Sequence, residues 1–363
     1  MSLLTSTRGR ALAAVGLSVT LTAAVTAPVA AATPAVGPKL PVESFVQLVT
    51  DPGTGNVYLS SGVENTVVVA DPAGKVLTQI PDLDGAFGLA VHGDTLYVGL
   101  RDAHAIAAID TRTLRERTRY PTGPKACPSY LAATVSTLWF SYDDCSDRPT
   151  GLGKLPLAGA APRVTLDQHG RFDFYWSPRL VAAPNGPLVA SVPDISSATA
   201  NSFRLAAGRL TYQASTEHRV LPSSLRQLTL TPDGSRVLVA AGGTEVVVLD
   251  SATLRPVGGY PVTEQDDMLP EGRGIAQAVA VSPNNQLVAV GHWDRDDQDT
   301  ADVLVYRSGS KQPFRAYDFG YLRGGDHVIS EHGLAWSPDA SRLYAVTEEG
   351  DGGLKLRVLT PNQ

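Results

Sequence analysis

Two dipeptides, Asp326-His327 and Glu331-His332, each set a carboxylate beside an imidazole. A histidine so placed can accept or return a proton near neutral pH, the work of a general base. Glu271 and Arg273 lead into one apolar run, Gln277 sits just inside it, and Arg226 with Gln227 opens another. Arg226, Gln277 and His332 brought onto one arc would hold a small anionic or polar ligand, with Arg273 and Glu271 beside them. The competing reading is that these groups bind each other and trapped water. Further along, Asp294-Arg-Asp296-Asp-Gln298-Asp299 places oxygen-bearing side chains at alternate positions, as loops that wrap a hard cation do. Asp299 stands where such a loop needs glycine and Val305 where it needs glutamate, so this is not an EF-hand. A looser Ca2+ site through Asp294, Asp296 and Gln298 competes with a solvated acidic loop. Phe172, Phe174, Tyr175 and Trp176 form an aromatic cluster that would stack a sugar or peptide, or fill a gap between packed sheets.

Other catalytic patterns are missing. The chain has no Gly-x-Ser-x-Gly, no His-Glu-x-x-His, no zinc-type Cys/His spacing and no CxxCH haem motif. Ser308-Gly-Ser-Lys311 matches Ser-x-x-Lys, but no Lys-Thr-Gly partner accompanies it, and it reads as chance. No cofactor is implied with any force; Ca2+ is the one candidate.

The elements that must position these residues come from a repeat. An apolar strand, a Pro/Asp/Asn/Gly turn and a second apolar strand recur every 40–50 residues or so. The clearest copies begin at Leu228 (LTLTPDGSRVLV), Val279 (VAVSPNNQLVAV) and Leu334 (LAWSPDASRLYAV). A repeat of that length made only of strands predicts an all-β fold: a seven-bladed β-propeller of four-stranded antiparallel blades. The blades are expected to start near Phe45, Phe87, Cys127, Phe172, Leu225, Ile275 and Glu331. Asp110 in Ala-Ile-Asp-Thr-Arg-Thr-Leu and Asp250 in Val-Leu-Asp-Ser-Ala-Thr-Leu should close tight turns by accepting backbone hydrogens. Blade 7 runs out of chain after its third strand, so the segment Ala35–Leu40 is expected to pair with Leu354–Leu359 and close the ring.

The phrase Leu-x-Leu-Thr-Pro-Asp-Gly-x-x-Val-Leu-Val, followed by Val-Val-Val-Leu-Asp-x-x-Thr-Leu, resembles the YVTN-type repeat of the YncE-like seven-bladed propellers, within the wider WD-repeat-like and quinoprotein-like group. The likeness is strong over blades 5 to 7, fair over blades 1 and 2 and weak over blades 3 and 4. The YVTN tetrad itself is absent; Asn-Val-Tyr-Leu59, Thr-Leu-Tyr-Val98 and Arg-Leu-Tyr-Ala345 stand in its place. The resemblance implies a fold and no particular activity.

In such a ring the strands of a blade run a to d from channel to rim, and the residue opening each strand a (about Val46, Phe87, Ser129, Pro178, Arg226, Gln277 and His332) is expected to point toward the axis. The d–a and b–c connections then share one face, called the top, and the a–b and c–d turns share the other. His104, His169, His218, His292, His327 and His332 map to the top or its edge, and only His92 to the bottom. Long varied loops on one side of a rigid scaffold are where binding sites are built. Cys127 and Cys145 both fall at the top of blade 3 and are expected to form a disulfide.

Residues 1–32 read as a signal peptide: Arg8 and Arg10, an apolar run broken by Thr and Pro, then Ala30-Ala31-Ala32. The mature chain, residues 33–363, is then one propeller domain, secreted or extracytoplasmic, with no transmembrane segment. It carries 28 Lys and Arg against 36 Asp and Glu, a charge of −8, which disfavours nucleic acid. The reading is a monomeric exported binding module whose top face and channel mouth take a protein, peptide or cell-envelope component. The alternative is a propeller hydrolase, lactonase or lyase using His332, Glu331 or His327 near the axis, with or without a metal.

Overall fold

The computed structural model describes residues 31–32, 37–145, 150–159, 161–168, 174, 176–192, 197–206, 208–222, 224–262, 274–294, 301–319, 328–350 and 352–361. Residues 1–30 of the expected targeting segment (residues 1–32) lie outside them. Every regular element among them is a strand, and the strands pair as seven antiparallel sheets in chain order. Blades 1, 2, 4, 5 and 6 each have four consecutive antiparallel strands. Blade 1, for example, runs Gln47–Thr50, Val57–Ser61, Thr66–Ala70 and Val76–Ile80.

Blades 3 and 7 have three strands each. In blade 3 the fourth position is taken by a single antiparallel bridge, Lys154 with Thr165. In blade 7 (Val328–Trp336, Leu343–Glu348, Leu354–Leu359) an antiparallel bridge joins Lys39 to Lys355. The Leu40 N–H donates to the Leu354 carbonyl at 2.7 Å, and Leu40 is buried beside Leu354 and Leu356. Residues 35 and 36 of the expected closing segment lie outside the described ones. Ala31–Ala32, at the expected cleavage point, pairs parallel with the outer strand of blade 6 at Ala316 and Tyr317.

The ring follows from how the core is divided. An antiparallel sheet with apolar residues on both faces must bury each face against another sheet. Here seven apolar clusters each join two neighbouring blades. Tyr58, Val69 and Leu96 lie between blades 1 and 2, Leu138 and Phe140 between 2 and 3, Trp139 and Phe203 between 3 and 4. The series continues through blades 4–5, 5–6 and 6–7, and the last cluster joins blade 7 (Tyr344, Val346) to blade 1 (Leu59, Val68). The Thr50 hydroxyl on the Trp336 carbonyl (2.9 Å) also ties blade 1 to blade 7.

The bottom turns repeat one device. In Thr231-Pro-Asp233, Ser282-Pro-Asn284 and Ser337-Pro-Asp339 the hydroxyl donates to the side-chain oxygen two residues on. That oxygen accepts the N–H of Ser235, Gln286 or Ser341. Asp110 and Asp250 likewise take the backbone N–H groups of Arg112 and Thr113, and of Ala252 and Thr253, as expected of them. These bonds hold the carboxyls of Asp110, Asp250, Asp233 and Asp339 below the usual range, with backbone donors leading for the first two and the neighbouring hydroxyl for the others.

Candidate functional site

The innermost strands differ in a way that shapes the channel. In blades 1, 4 and 5 strand a is short and regular: Gln47–Thr50, Arg179–Ala182 and Gln227–Leu230. In blades 2, 3, 6 and 7 it is longer and bulged, at Ala86/Leu89, Pro128/Leu131, Ala276/Ala278 and Ile329/Leu334. A bulge leaves a backbone group unpaired and turns side chains off the strand's alternation. The freed N–H groups are met from the side. Gln47 Oε1 accepts the Leu89 N–H (2.8 Å) and Gln227 Oε1 the Val279 N–H (3.1 Å), each reaching from a regular strand into the next bulged one.

The largest irregularity is Ser330–Gly333 in blade 7. It holds His332 at φ 59°, and a side chain at Gly333 would meet the Ser330 carbonyl oxygen. The excursion carries Glu331 and His332 toward the axis. His332 borders a cavity of about 260 Å3 whose lining also includes Gln47, Tyr130, Arg179, Gln227 and Thr229.

Arg179 and Arg226 converge on one carboxylate there. Arg179 Nη2 donates to Glu331 Oε2 at 2.9 Å, and Arg226 Nη1 donates to Glu331 Oε1. Arg179 Nε donates to His332 Nε2 at 3.3 Å, and its guanidinium stacks over Tyr130, 5.7 Å from the ring centre. Tyr130 in turn contacts the His332 ring (5.5 Å) and the edge of Phe87 (5.4 Å). His332 is partly buried on the channel wall. Its pKa is lowered to about 3, first by that burial and then by the Arg179 charge. It is therefore neutral at neutral pH. Burial, above all, raises the Tyr130 phenol. Three polar atoms of this region are buried with no hydrogen-bond partner among the described residues: Arg226 Nε, Gln277 Oε1 and Ser330 Oγ.

A second ion pair lies on the same face, between blades 2 and 3. Arg101 grips Asp143 through both nitrogens, at 2.9 and 3.0 Å, and also reaches the Ser129 hydroxyl. Asp143, only 3% exposed, further accepts from the Ser177 hydroxyl and the Cys145 N–H, both at 2.8 Å. Cys127 and Cys145 sit beside it at disulfide distance, their Cα atoms 5.5 Å apart.

Of the residues singled out from sequence, Arg226, Glu331 and His332 come together, and Gln277 is buried in the neighbouring strand. Glu271, Arg273, His327, Asp296 and Gln298 lie outside the described residues, as do His169, Phe172 and Tyr175. Phe174 is described; it is buried against Trp139 and Leu180, where it fills the gap between blades 3 and 4. Asp294 closes the second strand of blade 6, and only its backbone is described. His104 and His218 stand in top connections, and His292 near the top end of its strand.

Sequence reasoning missed Arg101, Tyr130 and Arg179. It put Val46, Ser129, Pro178 and Arg226 at the axis, whereas Gln47, Tyr130, Arg179 and Gln227, each one residue later, line the cavity. The available signal was the shared phrase Gln-Leu-Val, Arg-Leu-Val and Gln-Leu-Thr in blades 1, 4 and 5.

No family model and no curated protein matches this chain. Solved structures do. The chain is similar to a Kuenenia stuttgartiensis hydrazine synthase chain, at 17% identity and a TM-score of 0.61, over 89% of this chain and 97% of that one. It is also similar to the β-propeller domain of Cps50 (Swd1) from Myceliophteria thermophila, at 12% identity and a TM-score of 0.62, over 90% and 99%. The fold is a seven-bladed β-propeller. These likenesses carry the fold alone and do not reach the YncE-like family. Among the described residues no helix is long and apolar enough to cross a membrane.

Proposed function

We propose that this protein is an exported binding module that receives a carboxylate of a protein, peptide or cell-envelope ligand at the top mouth of its channel. The observation that supports this is the convergence of Arg179 and Arg226 on the single carboxylate of Glu331. Two guanidiniums against one carboxylate leave a positive charge in a partly desolvated place, where charge-assisted bonds are strongest. Arg226 Nε and Gln277 Oε1, both without partners among the described residues, offer one further donor and one acceptor. Glu331, a third exposed, then acts as a stand-in that an incoming carboxylate displaces.

The hydrolase or lyase alternative draws on His332, Glu331 or His327, of which His332 is the histidine among the described residues. A conjugate acid with a pKa of about 3 gives little driving force for taking a proton at neutral pH, and Nε2 already accepts from Arg179. The experiment is calorimetric titration of a glutamate-rich hexapeptide and its glutamine counterpart into the mature chain, with a lactone and ester panel run in parallel. Binding of the acidic peptide alone, lost in Arg179→Ala, supports the module. Turnover of a lactone or ester, lost in His332→Ala, would replace it with the enzyme.

A further inference from the structure

Where blades 2 and 3 meet on the top face, His104 Nδ1, Cys127 Sγ and Cys145 Sγ all lie within 4.8 Å of one another. They arrive from three elements. His104 comes from the loop between the second and third strands of blade 2, at φ 48°. Cys127 opens the first strand of blade 3. Cys145 follows that blade's second strand at φ 66°, its N–H held by Asp143. The imidazole nitrogen stands 3.3 Å from Cys127 Sγ and 3.7 Å from Cys145 Sγ. Nδ1 has no other polar partner among the described residues. A disulfide needs no imidazole beside it, so the histidine calls for another explanation.

Bond lengths of about 2.0 Å for Zn–N and 2.3 Å for Zn–S, at tetrahedral angles, set nitrogen and sulfur ligands about 3.5 Å apart. The two observed separations bracket that value. Cys127 is fully buried and Cys145 exposed, so the cluster has one anchored ligand and one that solvent and small thiols can reach.

We propose that His104, Cys127 and Cys145 form a redox-gated site for a thiophilic cation of the zinc type, closed while the two sulfurs are joined and opened by reduction. One small thiol attacks the exposed Cys145 sulfur, freeing Cys127 and forming a mixed disulfide on Cys145, and a second attacks the small thiol's own sulfur in that mixed disulfide, freeing Cys145. The S–S bond breaks, the small thiol leaves as its own disulfide, and the two electrons and two protons appear as two cysteine thiols. The cation then displaces both thiol protons to solvent, binds the two thiolates and His104 Nδ1, and keeps water in the fourth place. The Cys145 side chain supplies the movement, swinging its sulfur out to about 3.8 Å from that of Cys127, the tetrahedral spacing.

The test uses the mature chain, oxidised or reduced with a phosphine under argon, and Co2+ as a coloured probe that Zn2+ then displaces. The oxidised chain should take up no cobalt. The reduced chain should bind one equivalent, with a thiolate-to-cobalt charge-transfer band and the intense visible bands of a tetrahedral ion. His104→Ala should weaken binding at least tenfold, and Cys145→Ser should remove most of the charge-transfer intensity. His218→Ala, an exposed top-face control, should change nothing. Cys145 is the exposed partner, and circular dichroism of its variant checks that the fold is kept. The proposal is overturned if the reduced chain binds no cobalt or only in an octahedral spectrum. It is equally overturned if the oxidised chain binds as well, if His104→Ala binds undiminished, or if mass spectrometry finds the cysteines joined after reduction of the folded chain.

Discussion

Two arginine–carboxylate groups share the top face and are built to opposite ends. Asp143 is buried and fully engaged: both Arg101 nitrogens, the Ser177 hydroxyl and the Cys145 N–H all bind it. Glu331 is a third exposed and is divided between Arg179 and Arg226, with Arg226 Nε left over. A saturated buried pair holds two blades in one arrangement and has nothing to offer a ligand. An under-saturated, half-open one holds the wall less tightly and leaves charge in reserve. The same chemistry thus serves structure at blades 2 and 3 and, in the function proposed above, recognition at blades 4, 5 and 7, with the degree of satisfaction separating the two.

The largest test of that contrast is Asp143→Ala. It strands Arg101 in a mostly buried place and should cost about 3–5 kcal/mol in denaturant unfolding. Glu331→Ala removes a carboxylate that is a third exposed and whose Arg226 partner is open to water, and should cost less, about 1 kcal/mol, in the same assay. Equal losses would erase the distinction. The pH dependence comes next. The folded pKa of His332 is depressed to about 3 from an ordinary 6.5, so the unfolded chain binds the proton first as pH falls. Stability conferred by the neutral form is complete above pH 6.5 and is lost on the way down toward pH 3. Between about pH 6.5 and 5, before most carboxylates titrate, the wild type should lose about 1–2 kcal/mol. His332→Gln should flatten that slope; an unchanged slope would place its origin elsewhere. The smallest pair of effects concerns two channel glutamines. Gln227→Ala leaves the Val279 N–H unpaired and should cost about 1–2 kcal/mol. Gln277→Leu removes an oxygen that has no partner among the described residues and should be close to neutral for stability.

The residues that could be read in advance were those whose role is local. Thr231-Pro-Asp233 and its copies make their hydrogen bonds within a few residues, so the repeat and its turns were legible, and with them the blades. Cys127 and Cys145 followed once strand order was known. At blades 1, 3, 4 and 5 the channel wall was read one residue out of place because composition does not mark where a loop gives way to the first strand of a blade. Arg101 and Arg179 escaped notice for a related reason. Their partners, Asp143, Glu331 and His332, come from other blades, and nothing in the spacing along the chain announces contacts around a ring.

The central claim is that Glu331 occupies the place of a ligand's carboxylate. Titration of the acidic hexapeptide into the Glu331→Gln chain, set against the wild type at the same ionic strength, tests it most directly. Removing the competing charge while keeping the side chain's shape should tighten binding about tenfold, equivalent to about 1.4 kcal/mol. Affinity that stays the same or falls would contradict the account, because Glu331 would then be part of the wall and not a substitute for what enters.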